Sequence, residues 1–407
     1  MKKKTQNRIR NIHLLPNADA QEVRERTGYQ RRRRHPGRQL LLRLAIIAAA
    51  LFVLFLIWNN WEKIAPESVL DWAESQFGEG EVGEGYPYTI SGNTVVGMGQ
   101  TNNHLAVLTE SSVKFLNTTA GCVVERPHTF SDPSFKTVGK YALITEMGGA
   151  RFQLETRRET VLTVDLENRS IYASDVISTG TVAVATDSAS QNYLCGIQVY
   201  NSRGRIIYEY NTGKYLITNL ALAPNGRALA AVGTYAEGGT LKSVLLLFNF
   251  SEETPTEFSG TDILLYDVAY FGSGKVLAVG DTAYWVADAH ENTVEKIGYD
   301  GMELMGYAAS RTTAGLVMRQ SGSTGSGEVW LFDSSGTISK THRFAGTFRH
   351  AACRDTQFLL LTDETLFVVG GKADGTQMNA PSDGLLAAEY RGSFMLLTLN
   401  ELRQLTS

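Results

Sequence analysis

The chain has 407 residues, 43% of them hydrophobic and 20% charged, and a formal net charge of −4. That length excludes a fragment too small to bury its own core and leaves room for a tail, an anchor and one large domain, or for two ordinary domains. Its three cysteines, Cys122, Cys195 and Cys353, are too few and too far apart for a Cys ligand cluster. Their odd number leaves at least one free thiol in an exported domain.

The net charge hides a split. Residues 1–38 hold 12 Lys/Arg against 3 Asp/Glu, a net of +9, while the remaining residues hold 26 basic and 39 acidic side chains, a net of −13. A block of one sign ahead of an acidic body is a signal of orientation or of a partner. Between the two lies Leu40–Trp58, in which Arg43 is the one charge and fifteen apolar residues run unbroken from Leu44. About 20 apolar residues in a helix cross the hydrocarbon of a bilayer. Arg43 can snorkel to the headgroups, and Trp58 and Trp61 suit the far interface.

Arg31–Arg34 and Arg38 precede the span, so the positive-inside rule places the N-terminus in the cytoplasm. A cleaved signal peptide would need small residues at its end, and Trp58-Asn59-Asn60-Trp61 does not supply them. A basic run can also bind nucleic acid. Orientation and attraction to anionic lipid explain this one more simply, and no nucleic-acid partner is expected.

Glu62–Phe77 reads as a short amphipathic helix: Pro66 suits a first turn, Glu67 and Asp71 favour its N-terminal end, and Val69, Trp72, Ala73 and Phe77 follow helical spacing. Gly78–Gly85 follows, and its first six residues match GxGxxG. The match fails physically, because a helix precedes it, a strand follows it, and three glutamates would repel a pyrophosphate. It is a linker.

From Tyr86 on, short apolar runs alternate with Gly, Asn, Asp and Ser. One element recurs eight times, a run of four or five apolar residues usually closed by Thr or Gly. It starts at Leu105, Tyr141, Val182, Leu229, Val276, Ala314, Phe358 and Phe394. Continuous apolar runs suit strands buried on both faces. A second element trails the first, in which a strand ends in Asn or Asp, turns, and gives another strand. Phe115-Leu116-Asn117 to Gly121, Val199 to Gly204 and Leu331 to Gly336 are examples.

A four-strand unit of about 40–45 residues is a β-propeller blade. The expected fold is therefore all-β, a propeller of eight blades, or of seven if two repeats share a unit. A pair of β-sandwiches would not require such regularity. The last repeat has room for three strands, and Tyr86–Ser91 is the candidate to supply the fourth and fasten the ring. The expected organisation is a basic cytoplasmic tail (1–39), a transmembrane helix (40–61), a juxtamembrane helix and Gly/Glu linker (62–85), and an extracytoplasmic propeller (86–407).

From about Pro66 onward the chain resembles the DUF5711 family, bacterial membrane-anchored propeller-like proteins of uncharacterised function. Three stretches carry the resemblance. The first is Ser68-Val69-Leu70-Asp71-Trp72 through Gly85-Tyr86-Pro87-Tyr88 to Ile90-Ser91-Gly92. The second joins Leu105-Ala106-Val107-Leu108-Thr109 to Val113-Lys114-Phe115-Leu116-Asn117. The third is Tyr141 to Phe152, where relatives carry an acidic–basic pair before Gly-Gly and Glu146-Met147 departs from it. The resemblance implies a layout and a bacterial source; it brings no catalytic residues.

No chemistry motif stands out. His104, His128, His290, His342 and His350 lack metal-ligand spacing, no GxSxG elbow occurs, and Glu252-Glu253 and Asp363-Glu364 fall at turns. The serines and glycines of 322–327 read as a flexible loop. No catalytic, cofactor or metal residues are assigned, and no cofactor is expected. Long loops on one face of a propeller are where binding resides, and the candidates are Asp187–Tyr193, Thr234–Thr240 and Gln320–Gly327. The expected function is a binding or scaffold module for a protein or an envelope polymer. The alternative is an enzyme acting on an envelope glycan, which would need three or more charged side chains around a deep axial pocket; a flat or apolar-plugged axis would suit binding.

Overall fold

Residues 82–90, 94–188 and 190–405 are described by a computed structural model. They all fall in the compact unit Leu70–Ser407. The expected tail, transmembrane helix and Glu62–Phe77 helix lie outside the described residues. Among those described every regular element is a strand, and no helix is long and apolar enough to cross a membrane.

The strands form eight four-stranded antiparallel sheets, so the ring has eight blades and not seven. The innermost strands are Val95–Thr101, Pro133–Val138, Ile171–Val176, Leu216–Leu222, Leu265–Phe271, Met302–Ala309, Phe348–Arg354 and Leu386–Tyr390. The recurring apolar run is the second strand of each blade, one out from the axis. It has a sheet neighbour on each edge and a blade on each side, which is why Leu105, Ala142, Val182, Leu229, Val276, Ala314, Phe358 and Leu396 have almost no exposure. Each buried Leu, Val or Phe contributes about 1.5–3 kcal/mol of transfer free energy.

The core is distributed between blades. One apolar cluster joins Ala183 and Ile197 of blade 3 to Ile217 and Leu246 of blade 4, and another joins Leu397 and Leu402 of blade 8 to Leu105 and Val107 of blade 1. Turn chemistry repeats with the blades. The threonine that closes the apolar run caps the hairpin behind it: Thr109, Thr362 and Thr398 each accept the N–H and donate to the carbonyl of the residue three positions on. Between the third and outer strands, Asn117, Asn201, Asn249, Asp288 and Asp333 accept backbone N–H groups of their own turns. These side chains replace the partners a bent backbone loses.

Closure is made by the start of the domain. Tyr88–Thr89 pairs antiparallel with Glu401–Leu405, Tyr88 opposite Leu402 and Thr89 opposite Glu401, and becomes the outer strand of blade 8. Ile90 N–H donates to the Asn400 carbonyl at 3.0 Å. With period two, Tyr86, Tyr88 and Ile90 pack against the cluster that joins blades 8 and 1.

One expected loop is a strand. In blade 4, Ala228–Glu237 and Thr240–Asn249 pair along their whole length, and Thr234–Thr240 is hairpin apart from Gly238-Gly239. Both glycines have positive φ, as a two-residue hairpin turn requires. The β-prone Thr234-Tyr235 carries the strand past Gly233, where the apolar run ends. Of the other expected loops, Asp187–Tyr193 moves by one residue because Asp187 ends a strand and the next begins at Cys195, and Gln320–Gly327 shrinks to 321–325.

The clasp is testable in the full chain. Tyr88→Asp combined with Ile90→Asp removes apolar packing and unpairs an edge, and is expected to lower stability by roughly 2–4 kcal/mol. The drop would be read as a fall in thermal midpoint with added self-association; an unchanged midpoint would show that closure lies elsewhere.

Candidate functional site

Each blade has two ends. On one, here the loop face, lie the loops between second and third strands and the connections between blades. On the other, the turn face, lie the turns between first and second and between third and outer strands.

Exposed apolar side chains are unevenly shared between them. Among the described residues thirteen large apolar side chains are exposed, and nine stand at the loop face: Tyr172, Tyr193, Leu194, Leu216, Leu241, Leu264, Tyr266, Leu385 and Leu399. Seven of the nine belong to the consecutive blades 3, 4 and 5. Leu241, 62% exposed, sits at the tip of the extended hairpin of blade 4. Scattered exposed apolar residues are ordinary, but concentration on one face marks an interaction surface.

This face is stiffened from below. Lys214 pairs with Glu257 at 3.0 Å and lies 4.6 Å from the ring centroids of both Tyr215 and Tyr235, and Tyr215 donates its hydroxyl hydrogen bond to Glu257. Asp187, Asp281 and Asp363 each accept a backbone N–H from the blade connection beside them, at 2.6, 2.8 and 2.8 Å. Glu146 takes its cation from Arg151 at 3.1 Å, beyond the Gly-Gly, so the sequence departure at Met147 leaves the glutamate paired.

The axis holds a cavity of about 720 Å³ lined by inner strands of all eight blades. Its lining reaches turn-face residues such as Asn102, Gly139, Pro224 and Asp355 and stops short of the first residue of each inner strand, so it opens on the turn face. Small residues make room for it. Opposite the second residue of the apolar run stand Gly99, Thr137, Ala221, Ala269, Ala308, Ala352 and Ala388, and in blade 3 alone Asp175. A Cβ on Gly99 would fall 2.2 Å from Thr137 Oγ1, so neighbouring inner strands approach closely only because this ring is small.

Polar side chains project among these small ones. Lys136 Nζ is 3.3 Å from Asp175 Oδ1, and Asp175 Oδ2 accepts the Leu222 N–H at 2.8 Å, linking blades 2, 3 and 4. Asn219 Nδ2 donates to Asp267 Oδ1 at 2.7 Å, linking blades 4 and 5. On the opposite wall Arg354 lies 3.9 Å from Glu389, and His350 Nδ1 accepts the Ala387 N–H at 3.3 Å. Burial pushes the Asp267 carboxyl up to about 6, with Lys136 pulling the other way, and burial pushes His350 down to about 4. His350 is therefore a neutral ring at pH 7.

The axis is thus neither flat nor apolar-plugged. It carries the charged lining that the enzyme alternative required, but most of its charges are already spent on interblade pairs. Sequence reasoning found no metal-ligand spacing at His350 and passed over Asp175, Asn219 and Asp267. The other histidines lie elsewhere: His128 is bonded to the Thr109 carbonyl at 2.9 Å, and the His342 ring lies 5.8 Å from that of Phe367. Among the described residues no His, Cys, Asp and Glu group is arranged to hold a metal ion. No disulfide joins the three cysteines; Cys195 is buried, and burial pushes the Cys353 thiol at the channel wall up to about 12.

A family model described as a family of unknown function, DUF5711, matches residues 75–374. No curated protein matches the chain. Among solved structures, one titled as a eukaryotic initiation factor is 12% identical with a TM-score of 0.46, over 79% of this chain and 91% of that one. The Pan2 WD40 domain of Neurospora crassa is 11% identical with a TM-score of 0.46, over 77% and 90%. A chain of a mitotic checkpoint complex is 12% identical with a TM-score of 0.48, over 81% and 94%. The fold assignment rests on the strand pairing and takes nothing from these likenesses.

The shifted Asp267 has a thermodynamic consequence. Its folded-state value lies above the ordinary carboxylate value, so the fold binds the proton more tightly than the unfolded chain, and its contribution to stability falls as pH rises from about 4 through about 6. Asp267→Asn removes that dependence and keeps the shape. The variant is expected to gain on the parent by on the order of 2 kcal/mol between pH 4 and pH 7. Thermal midpoints across that range check it, and a gap between the two proteins that does not change with pH would contradict it.

Proposed function

The chain belongs to the DUF5711 family, and we propose that it acts as a membrane-anchored binding module whose propeller, outside the cell membrane, engages a protein partner through the loop face of blades 3–5. The observation that carries the partner surface is the gathering of seven exposed large apolar side chains on three consecutive blades. Aromatic and aliphatic anchors at the centre of a patch supply most of the free energy of protein association. A rigid ring carrying them loses little conformational entropy on binding.

What supports the anchoring is the sequence: a net charge of +9 over residues 1–38, fifteen apolar residues from Leu44 to Trp58, and an acidic body after them. On this reading the basic tail stays in the cytoplasm and the span fixes the propeller to the outer surface.

Two experiments test it. In intact cells, a membrane-impermeant maleimide is expected to label a Ser323→Cys variant and to spare Thr5→Cys; labelling of Thr5→Cys without Ser323→Cys would reverse the topology. For the partner, a photo-crosslinking residue at position 241 in living cells is expected to give one discrete protein adduct, and the same residue at 338, on the turn face, none. The adduct should disappear when Leu216→Asp and Leu264→Asp are added. Adducts of equal yield at both positions, or none at 241, would remove the loop face as the binding surface.

A further inference from the structure

Charge is unevenly shared around the turn face. The turns of blades 2 and 3, at 139–140, 156–159, 177–181 and 201–205, carry Lys140, Arg157, Arg158, Arg203 and Arg205 against Glu159, a net of +4. The turns of the other six blades carry four basic and six acidic side chains, a net of −2. The patch thus runs against the net charge of −13 that follows residue 38. Arg158, Arg203 and Arg205 are exposed, and among the described residues the two arginines of blade 3 form no ion pair.

These turns form one surface, held from within. A Cβ on Gly180 would fall 2.7 Å from Tyr141 Cζ and 3.0 Å from Ser202 Cβ, and one on Gly204 2.8 Å from Leu162 Cδ1, so the turns of blade 3 lie against blade 2. Arg126 donates to the Thr156 and Arg157 carbonyls at 2.8 and 2.7 Å and fixes the turn that carries Arg157 and Arg158. Asn201 Oδ1 accepts the Arg203 and Arg205 N–H groups, both at 3.0 Å, so that turn is set by its backbone and leaves the two guanidinium groups at the surface. Beside them Ile206 and Ile207 are 48% and 47% exposed. Cations that flank exposed aliphatic side chains fit a bilayer surface, where arginines meet lipid phosphates and isoleucines enter the headgroup boundary. A nucleic acid or a phosphate polymer would offer the isoleucines no apolar medium. The chain that follows the proposed span also joins the ring on this face, where Gly83 N–H donates to Thr119 Oγ1 at 3.1 Å.

We propose that the turn face of blades 2 and 3 is a second membrane contact, which binds anionic phospholipid through Lys140, Arg157, Arg158, Arg203 and Arg205 and seats Ile206 and Ile207 among the headgroups. The contact rests on the membrane anchoring proposed above and adds the surface that meets lipid. Each Lys or Arg close to an anionic bilayer strengthens such a contact roughly fivefold, and salt weakens it.

The test uses the full chain in lipid nanodiscs, made of phosphatidylcholine alone or of an equal mixture with phosphatidylglycerol, with a photo-crosslinking residue at position 207. Lipid adducts, read by mass spectrometry, are expected in the mixed discs at a yield about tenfold or more above that in phosphatidylcholine discs, and to fall in high salt. The same residue at 241, on the loop face, is expected to give none. Arg203→Glu combined with Arg205→Glu should cut the yield at 207 by about tenfold or more, while Lys372→Glu, in a turn of blade 7, should leave it unchanged. The lipid comparison needs no variant and stands if the substitutions disturb the fold. Discs that carry the chain yet give no adduct at 207, equal yields in the two lipids, or a protein adduct in place of lipid in cell membranes would overturn the contact. A chain that stays out of the discs would instead refute the anchor, and the contact with it.

Discussion

Everything in this molecule depends on one two-residue strand. A chain of blades has an open edge at each end, and unpaired strand edges are sites of aggregation. Tyr88–Thr89 reaches the third strand of blade 8 and turns two ends into one sheet. The seam is then sewn at the turn face, both near the axis and at the rim: Tyr390 donates its hydroxyl hydrogen bond to the Asn103 carbonyl at 2.7 Å, Arg391 N–H donates to Gln100 Oε1 at 3.1 Å, and Gly85 N–H donates to the Thr119 carbonyl at 2.9 Å. Once blade 8 is held to blade 1, the apolar layers between blades have no free end from which to open.

Closure also divides the molecule's two faces. Residues 83–85 meet the ring at the turn face, against Thr119 in the last turn of blade 1. The channel opens on that same face, while the exposed apolar residues of blades 3–5 lie on the other. A protein partner on the loop face would thus leave the mouth of the channel uncovered. Coupling between them would have to pass along inner strands, and the shared pairs Lys136–Asp175 and Asn219–Asp267, each spanning two blades, are the physical connections available for it.

The sequence revealed the ring more fully than the site. Eight apolar runs were visible because the second strand of a blade is buried on every side, so its residues answer to one constraint. The clasp was visible because blade 8 lacked a strand and Tyr86–Ser91 had no other sheet to join. The channel was not visible. Inner strands border solvent on one edge, and in six of the eight blades a register shift near the strand start breaks the alternation that would reveal a strand. The residue after the shift is Asn219, Asp267 or His350 in blades 4, 5 and 7, so the polar lining sits where the pattern is least regular. The apolar patch was hidden for another reason: Leu216, Leu241 and Leu264 are single residues in three separate segments, and only the closed ring brings them to one face.

Amide hydrogen exchange on the full chain, with and without the protein captured at position 241, measures the central claim directly. The account predicts added protection at 190–194, 214–217, 238–242 and 262–266, confined to the loop face of blades 3–5, with the turns at 117–121, 201–205 and 333–337 unchanged. Protection at those turns, with none on the loop face, would contradict it.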